Sequence, residues 1–174
     1  MSPGFLIDDL QASDLAGVLA IQSDAYPPSL VESEEVFRNR LQLESSYCLA
    51  AREGPRLLGY LIAHASPSNV PPSLGTMIQA SSRADVLFLH DLAVSSAGRG
   101  MGVGRQLVER AFAMASRDGL EIAQLIAVAG AAPYWRGLGF VETPASGTLR
   151  AKVMGYGPAA QWMTRAISSG DGGL

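Results

Sequence analysis

Residues 92–107 read LAVSSAGRGMGVGRQL, and the reading of that stretch decides the fold of the whole chain. Gly98, Gly100, Gly102 and Gly104 alternate with no proline among them. They run straight into a helical pattern in which Leu107, Val108, Ala111, Phe112 and Ala115 share one face. Upstream, VLFLHDLAV (86–94) carries no polar residue except His90 and Asp91, the mark of a central strand covered on both faces. The glycines therefore lie between a central strand and the next helix. First-turn amides of a helix point outward without intrahelical partners, and here no side chains stand in the way, so the stretch is shaped to cradle phosphate. A plain strand-to-helix turn would need only one or two glycines. Arg99 and Arg105 supply charge-assisted bonds, and the helix dipole adds roughly 0.3–1 kcal/mol per anionic charge.

Two nucleotide signatures fail against this stretch. A P-loop needs Gly-Lys-Ser/Thr at the helix start, where the chain has Gly104-Arg105-Gln106. A dinucleotide fingerprint counted from Gly100 and Gly102 puts Arg105 where its third glycine belongs.

Working outward, Gly119 suits the left-handed position that ends the helix, and IAQLIAVA (122–129) reads as a further buried strand. AAPYWRGLGF (131–140) is a short helix with Pro133 in its first turn, and VETP and AQWMTRAI follow as weaker strands. Towards the N-terminus, YCLAARE and LLGYLIAHAS form a hairpin turning at Glu53-Gly54-Pro55. Two helices flank YPPS, the first capped by Ser13 and the second opened by a Ser29/Glu32 capping box, and FLIDDL is an edge strand before them. Residues 66–83, rich in Pro and Ser, form a long surface loop. The expected architecture is α/β of the α+β type in one domain spanning 1–174: a mixed sheet of about seven strands with about four helices packed against it.

Composition bounds the function. With 174 residues, 48% hydrophobic and 17% charged, the chain can bury a core, and no apolar run reaches the roughly 18 residues of a membrane span. MSPGFLIDDL lacks the features of a secretory signal, so a cytoplasmic location is the default. One cysteine, Cys48, and two histidines argue against a disulfide framework or a metal cage. A net charge of -3 gives no global reason to bind nucleic acid or an anionic membrane. Arg99, Arg105, Arg110 and Arg117, however, gather around the glycines and suit an anionic ligand there.

Arg99-x-x-Gly102-x-Gly104 preceded by LAV resembles the acetyl-coenzyme A signature of the GNAT superfamily of N-acetyltransferases, and YWRGLGF is similar to that superfamily's closing segment. The resemblance covers residues 5–167, and LHDLAV is similar to the LHALAV strand of its arylalkylamine acetyltransferases. It implies a strand carrying LAV that splays from IAQLIAVA, with the backbone of Leu92, Ala93 and Val94 holding the pantetheine and acetyl group of acetyl-CoA. It implies that Arg99, Gly100, Met101, Gly102, Val103, Gly104 and Arg105 hold the pyrophosphate, and that Trp135 stands where many members have a tyrosine able to protonate the departing thiolate. Tyr134, adjacent, substitutes if the helix is rotated. Val128 replaces an asparagine common before this helix.

The reaction implied is direct attack of a neutral primary amine on the thioester, with no covalent enzyme intermediate. An ammonium has no lone pair to give, so a base must take its proton. His90 is the candidate, with an unperturbed value near 6.5 suited to the task and a counterpart in LHALAV. On a regular strand Phe88 and His90 share a side and Asp91 faces away; a bulge would turn Asp91 to the pocket as base or amine anchor. Tyr26, Phe88 and Tyr156 are candidate substrate contacts. Glu32, Glu34 and Glu35 either attract a cationic amine or complement a helix start. The acceptor is expected to be a small molecule, with a protein or aminoacyl-tRNA amino group, or a non-catalytic acyl-CoA-binding module on the same fold, as alternatives. A homodimer is compatible with the resemblance, since many members pair.

Overall fold

In the computed structural model, residues 4–79 and 84–167 are described. Seven strands form one sheet in the order β1-β2-β3-β4-β5-β7-β6, and β4 (Val86–Val94) takes the central place that its apolar composition demands. β1 (Leu6–Asp9), β2 (Leu49–Glu53) and β3 (Arg56–Ser66) run antiparallel beside it, the hairpin between β2 and β3 turning through Gly54 at φ +57°. β5 (Ile122–Ala127) pairs parallel to β4; β7 (Gln161–Ala166) and the short β6 (Val141–Glu142) complete the sheet. A parallel pair needs a crossover, and α3 (Val103–Arg117) supplies it.

The predicted face of α3 is buried, Val103, Leu107, Val108, Ala111, Phe112 and Ala115 packing with Leu87, Leu89 and Leu125 of the sheet. α4 (Ala132–Gly137) joins this layer through Trp135. On the other face lie α1 (Leu15–Ala25) and α2 (Glu34–Leu41), with Val18 and Phe37 against Tyr60 and Ile62. α5 (Gly147–Met154) is a fifth helix, one more than the sequence predicts. Its stretch, GTLRAKVM, buries only Val153, so no apolar stripe announces it. The caps also differ from expectation. α1 starts at Leu15 without a side-chain cap, Ser13 lying in the preceding 3-10 turn, and Ser33 rather than Ser29 caps α2 by accepting from the Val36 amide. None of the described helices is long and apolar enough to cross a membrane.

β4 carries two irregularities. Ile62 pairs with Asp91 and Ala63 with Leu89, which leaves His90 as the extra residue of a β-bulge. Pairing with β5 runs only from Leu87 to Leu89, so beyond that point the two strands part.

Candidate active site

The glycines are explained position by position. Gly100 and Gly102 sit at φ +78° and +76°, a left-handed conformation that costs an L side chain about 1–2 kcal/mol, and Gly102 is the N-cap residue of α3. Gly98 and Gly104 are glycine for space. A methyl group at Gly98 would strike the Leu58 carbonyl, and one at Gly104 would strike the Tyr134 hydroxyl. Around this turn lies an open cleft of about 510 Å3, walled by Val94, Arg99, Arg105, Pro133, Tyr134 and Leu138. Gly102, Val103 and Gly104 at the start of α3 line this cleft together with Arg99 and Arg105, the surroundings a pyrophosphate needs.

Tyr134 also borders the gap where β4 and β5 part, which it lines together with His90, Asp91, Leu92, Val128 and Trp135. Backbone groups of residues 90–94 that would have met β5 have no strand partner there. The Leu92 carbonyl accepts a hydrogen bond of 2.8 Å from the Tyr26 hydroxyl.

Beyond the gap is an inner pocket, and the bulge builds it. Because His90 is the extra residue, Asp91 shares its face of the sheet with Phe88, His90 and Ala93, while Leu89 and Leu92 pack towards α3. Tyr26, Leu30, Glu32, Leu74, Ile126 and Tyr156 close the pocket around His90, Asp91 and Phe88. Asp91 Oδ2 accepts from the Tyr60 hydroxyl at 2.8 Å, and its Oδ1 is buried without a partner among the described residues. Burial pushes the Asp91 carboxyl up to about 6, against the pull of the Tyr26 and Tyr60 hydroxyls and of His90. Both phenols are raised well above 10, first by burial and then by the Asp91 charge.

His90 Nε2 lies 2.5 Å from Glu32 Oε1, and its Nδ1 is buried with no partner among the described residues. Glu32 precedes α2 and is itself 6% exposed. Its backbone is pinned by one side chain: the Gln22 amide accepts from Glu32 N at 2.8 Å and donates to Glu32 O at 2.9 Å. Burial acts to raise the Glu32 carboxyl, yet the bond and charge of His90, the Gly75 amide and Arg40 together hold it below the usual value.

Residues 67–79 form a strap across this end. Asn69 exchanges two hydrogen bonds with Gln124 of β5. The Pro72 carbonyl accepts from Tyr156 at 2.7 Å, the Gly75 amide donates to Glu32 Oε2 at 2.9 Å, and Ile78 exchanges two bonds with Asn39 of α2. The rest of the expected loop, residues 80–83, lies outside the described residues.

Three expected substrate contacts, Tyr26, Phe88 and Tyr156, thus meet His90 and Asp91 in one pocket, although Tyr156 is buried rather than an exposed loop residue. Of the residues expected around the cofactor, Arg99, Gly100, Gly102, Val103, Gly104, Arg105 and Val94 line the cleft, Leu92 lines the gap, and Met101 is exposed beside them. Ala93 packs its methyl under α1. Trp135 is set back: its indole is buried against Phe140 with ring centroids 5.4 Å apart, and it borders only the inner side of the gap. Tyr134, on the same turn, is the aromatic side chain at the cleft, its hydroxyl over Gly104. Glu32 reads in the sequence as the carboxylate of a capping box or as one charge of a helix start; Glu34 and Glu35 do open α2, and nothing local marks Glu32 as a partner of His90.

Comparison with known proteins agrees with this geometry. None of the curated protein sequences matches the chain. Among solved structures, the ribosomal-protein-S18-alanine N-acetyltransferase of Escherichia coli superposes with a TM-score of 0.67 at 20% identity, covering 98% of each chain. The PaiA N-acetyltransferase of Thermoplasma acidophilum, solved with coenzyme A, gives 0.66 at 14% identity over 95% of this chain and 99% of that one. N-acetylglutamate synthase of Neisseria gonorrhoeae, complexed with coenzyme A and N-acetyl-glutamate, gives 0.69 at 14% identity over 94% of this chain and 35% of its own. At such identities the likeness establishes the fold. The sequence model of the acetyltransferase (GNAT) family matches residues 15–140, a span that begins with α1 and takes in the inner pocket's α1–α2 connection, the bulged β4, the glycine turn and α4. With that match over most of its length, the chain belongs to the GNAT family of acetyltransferases.

Proposed function

We propose that this enzyme transfers the acetyl group of acetyl-CoA to a small primary amine, by direct attack within a ternary complex. The observation that carries the reading is the bulge at His90. It brings two titratable side chains to the β4/β5 gap, which shares Tyr134 with the glycine cleft.

The residues present fit acetyl-CoA. The start of α3 with Arg99 and Arg105 would hold the pyrophosphate, and the β5-facing backbone edge of Leu92 to Val94, which has no partner on that strand, would hold the pantetheine and acetyl group. When bound, the thioester supplies an activated acyl carbon. The chain's own groups do the rest. Asp91, ionised at neutral pH and buried at the pocket, attracts the ammonium form of the acceptor. His90 Nδ1, with a free lone pair, takes the proton that the nitrogen must lose before it can attack. The Leu92 amide polarises the carbonyl as negative charge gathers on its oxygen. Tyr134, which lines both the cleft and the gap, would give a proton to the departing sulfur.

A small acceptor is supported by the strap, which bridges from Glu32 on one side of the pocket to Tyr156 on the other. A polypeptide would have to cross where the strap lies. Amine-dependent thiol release from acetyl-CoA, measured across pooled arylalkylamines, polyamines, amino acids, aminoglycosides and short peptides, tests the reading. Release with a small-amine pool supports it; release with peptides alone moves the acceptor to a protein amino group, and no release from any pool overturns it.

A further inference from the structure

We propose that Glu32 is a positioning residue that fixes the tautomer of His90, and so decides which ring nitrogen is free to act as the base. The inference rests on the reading of His90 as proton acceptor. A carboxylate accepts and does not donate, so the 2.5 Å contact between Glu32 Oε1 and His90 Nε2 requires the hydrogen on Nε2. The neutral ring then carries its lone pair on Nδ1, the nitrogen without a partner among the described residues. His64 provides an internal contrast: its Nδ1 lies 3.2 Å from the Ala65 carbonyl, which requires the hydrogen on Nδ1. The chain's two histidines therefore hold opposite tautomers, with ring centroids 6.4 Å apart.

Glu32 is built to hold this position. Its backbone is clamped by the buried Gln22 amide, and its second oxygen takes the Gly75 N–H of the strap. Other groups around the ring do not compete for Nε2. Asp91 is engaged by Tyr60, and Tyr26 donates to Leu92; Tyr156 donates to Pro72, and Arg40 lies behind Glu32 and bonds Asn39. Burial holds His64 neutral, its value taken down to about 3. A proton passing from the acceptor nitrogen to Nδ1 makes an imidazolium whose other N–H already faces a carboxylate. The arriving charge needs no rearrangement.

Glu32→Gln tests this, because an amide NH2 facing Nε2 favours the opposite tautomer. The first readout needs no substrate: long-range 1H–15N correlation on the histidine-labelled chain shows which nitrogen of each ring is protonated. In the unsubstituted protein His90 is expected as Nε2–H and His64 as Nδ1–H; in Glu32→Gln, His90 changes to Nδ1–H and His64 stays. An Nδ1–H His90 in the unsubstituted protein, or an unchanged His90 in the folded variant, overturns the proposal.

The second readout is kinetic. Glu32→Gln lowers kcat about tenfold or more, leaves KM for acetyl-CoA within about threefold, and moves the acid limb of the pH–rate profile to lower pH. Added to His90→Gln, it costs nothing further. Losses that add in the double variant overturn the proposal by making Glu32 independent of His90. If Glu32→Gln does not fold, Glu32→Asp replaces it: kcat is expected to fall only as far as His90 leaves the Nε2–H form, and a lowered kcat with Nε2–H fully retained, or an unchanged kcat with Nε2–H lost, overturns the proposal. Absence of turnover with every amine would sink the proposed function while leaving the tautomer measurement to stand or fall by itself.

Discussion

At the scale of single residues, His90 and Asp91 are neighbours in sequence to which the proposed reaction gives different tasks. His90→Gln keeps the bulk and a polar end but removes the proposed proton acceptor, so turnover is expected to fall about 100-fold with loss of the acid limb of the pH–rate profile; an unchanged profile would exclude His90 as base. Asp91 stores a stability cost. Its folded value, about 6, lies above the unfolded 3.8, so between those values the folded state holds a proton that the unfolded state has lost, and stability falls as pH rises through this window. Asp91→Asn is therefore expected to raise stability by up to about 3 kcal/mol at pH 7.5 and by little near pH 4, read as thermal midpoints at both values, while weakening the acceptor KM. A variant equally stable or less stable at pH 7.5 would show that the carboxylate is not held at a cost.

At the scale of elements, the start of α3 and the joint between α1 and β2 make separate predictions. Gly102→Asp introduces both left-handed strain and a negative charge at the cleft. The expected result is a rise of about tenfold or more in KM for acetyl-CoA in a folded protein; unaltered affinity would reduce the glycine stretch to a turn. At the other end of the molecule Arg52 grips Asp14 with two nitrogens, at 2.5 and 2.6 Å, and reaches Asp8 at 2.8 Å, tying β2 to the start of α1 and to β1. The Arg52 hydrogen bonds, against partial burial, hold the Asp14 carboxyl below 3.8. Its contribution is present above that value and lost as pH falls through the lower folded one. Asp14→Asn should cost about 0.5–1 kcal/mol at pH 7, a cost that shrinks as pH falls below 3.8, measured by urea denaturation across the acid range.

At the scale of the whole molecule, the strap joins four separate parts of the chain: β5, the connection after α5, the α1–α2 connection and α2. No one of these bonds is strong, each worth about 1 kcal/mol net, but together they hold the strap over the pocket, and in the proposed function they would set the width of the acceptor entrance. Loosening two of them, with Asn39→Ala and Tyr156→Phe, is expected to raise the small-amine KM. It should also improve acetylation of peptide N-termini relative to small amines by about tenfold, in a competition assay. A selectivity ratio unchanged from the parent protein would mean that the strap does not set acceptor size.

The sequence by itself determined the sheet, the central strand, the crossover helix and the glycine turn, because each is written in local periodicity and in residues whose backbone demands are their own. Gly100 and Gly102 are where they are for positive φ, and no distant partner is needed to read that. Three things were decided only in three dimensions. The bulge at His90 depends on how β3 registers against β4, and without it Asp91 would face α3. Which aromatic ring meets the cleft was settled by the packing of α4, where Trp135 joins Phe140 in the core and turns Tyr134 outward. Glu32 acquired its place from a partner 58 positions away, held there by Gln22 and the strap. A carboxylate's role is set by what surrounds it, and for Glu32 those surroundings come from four separate segments that meet only when the chain is folded.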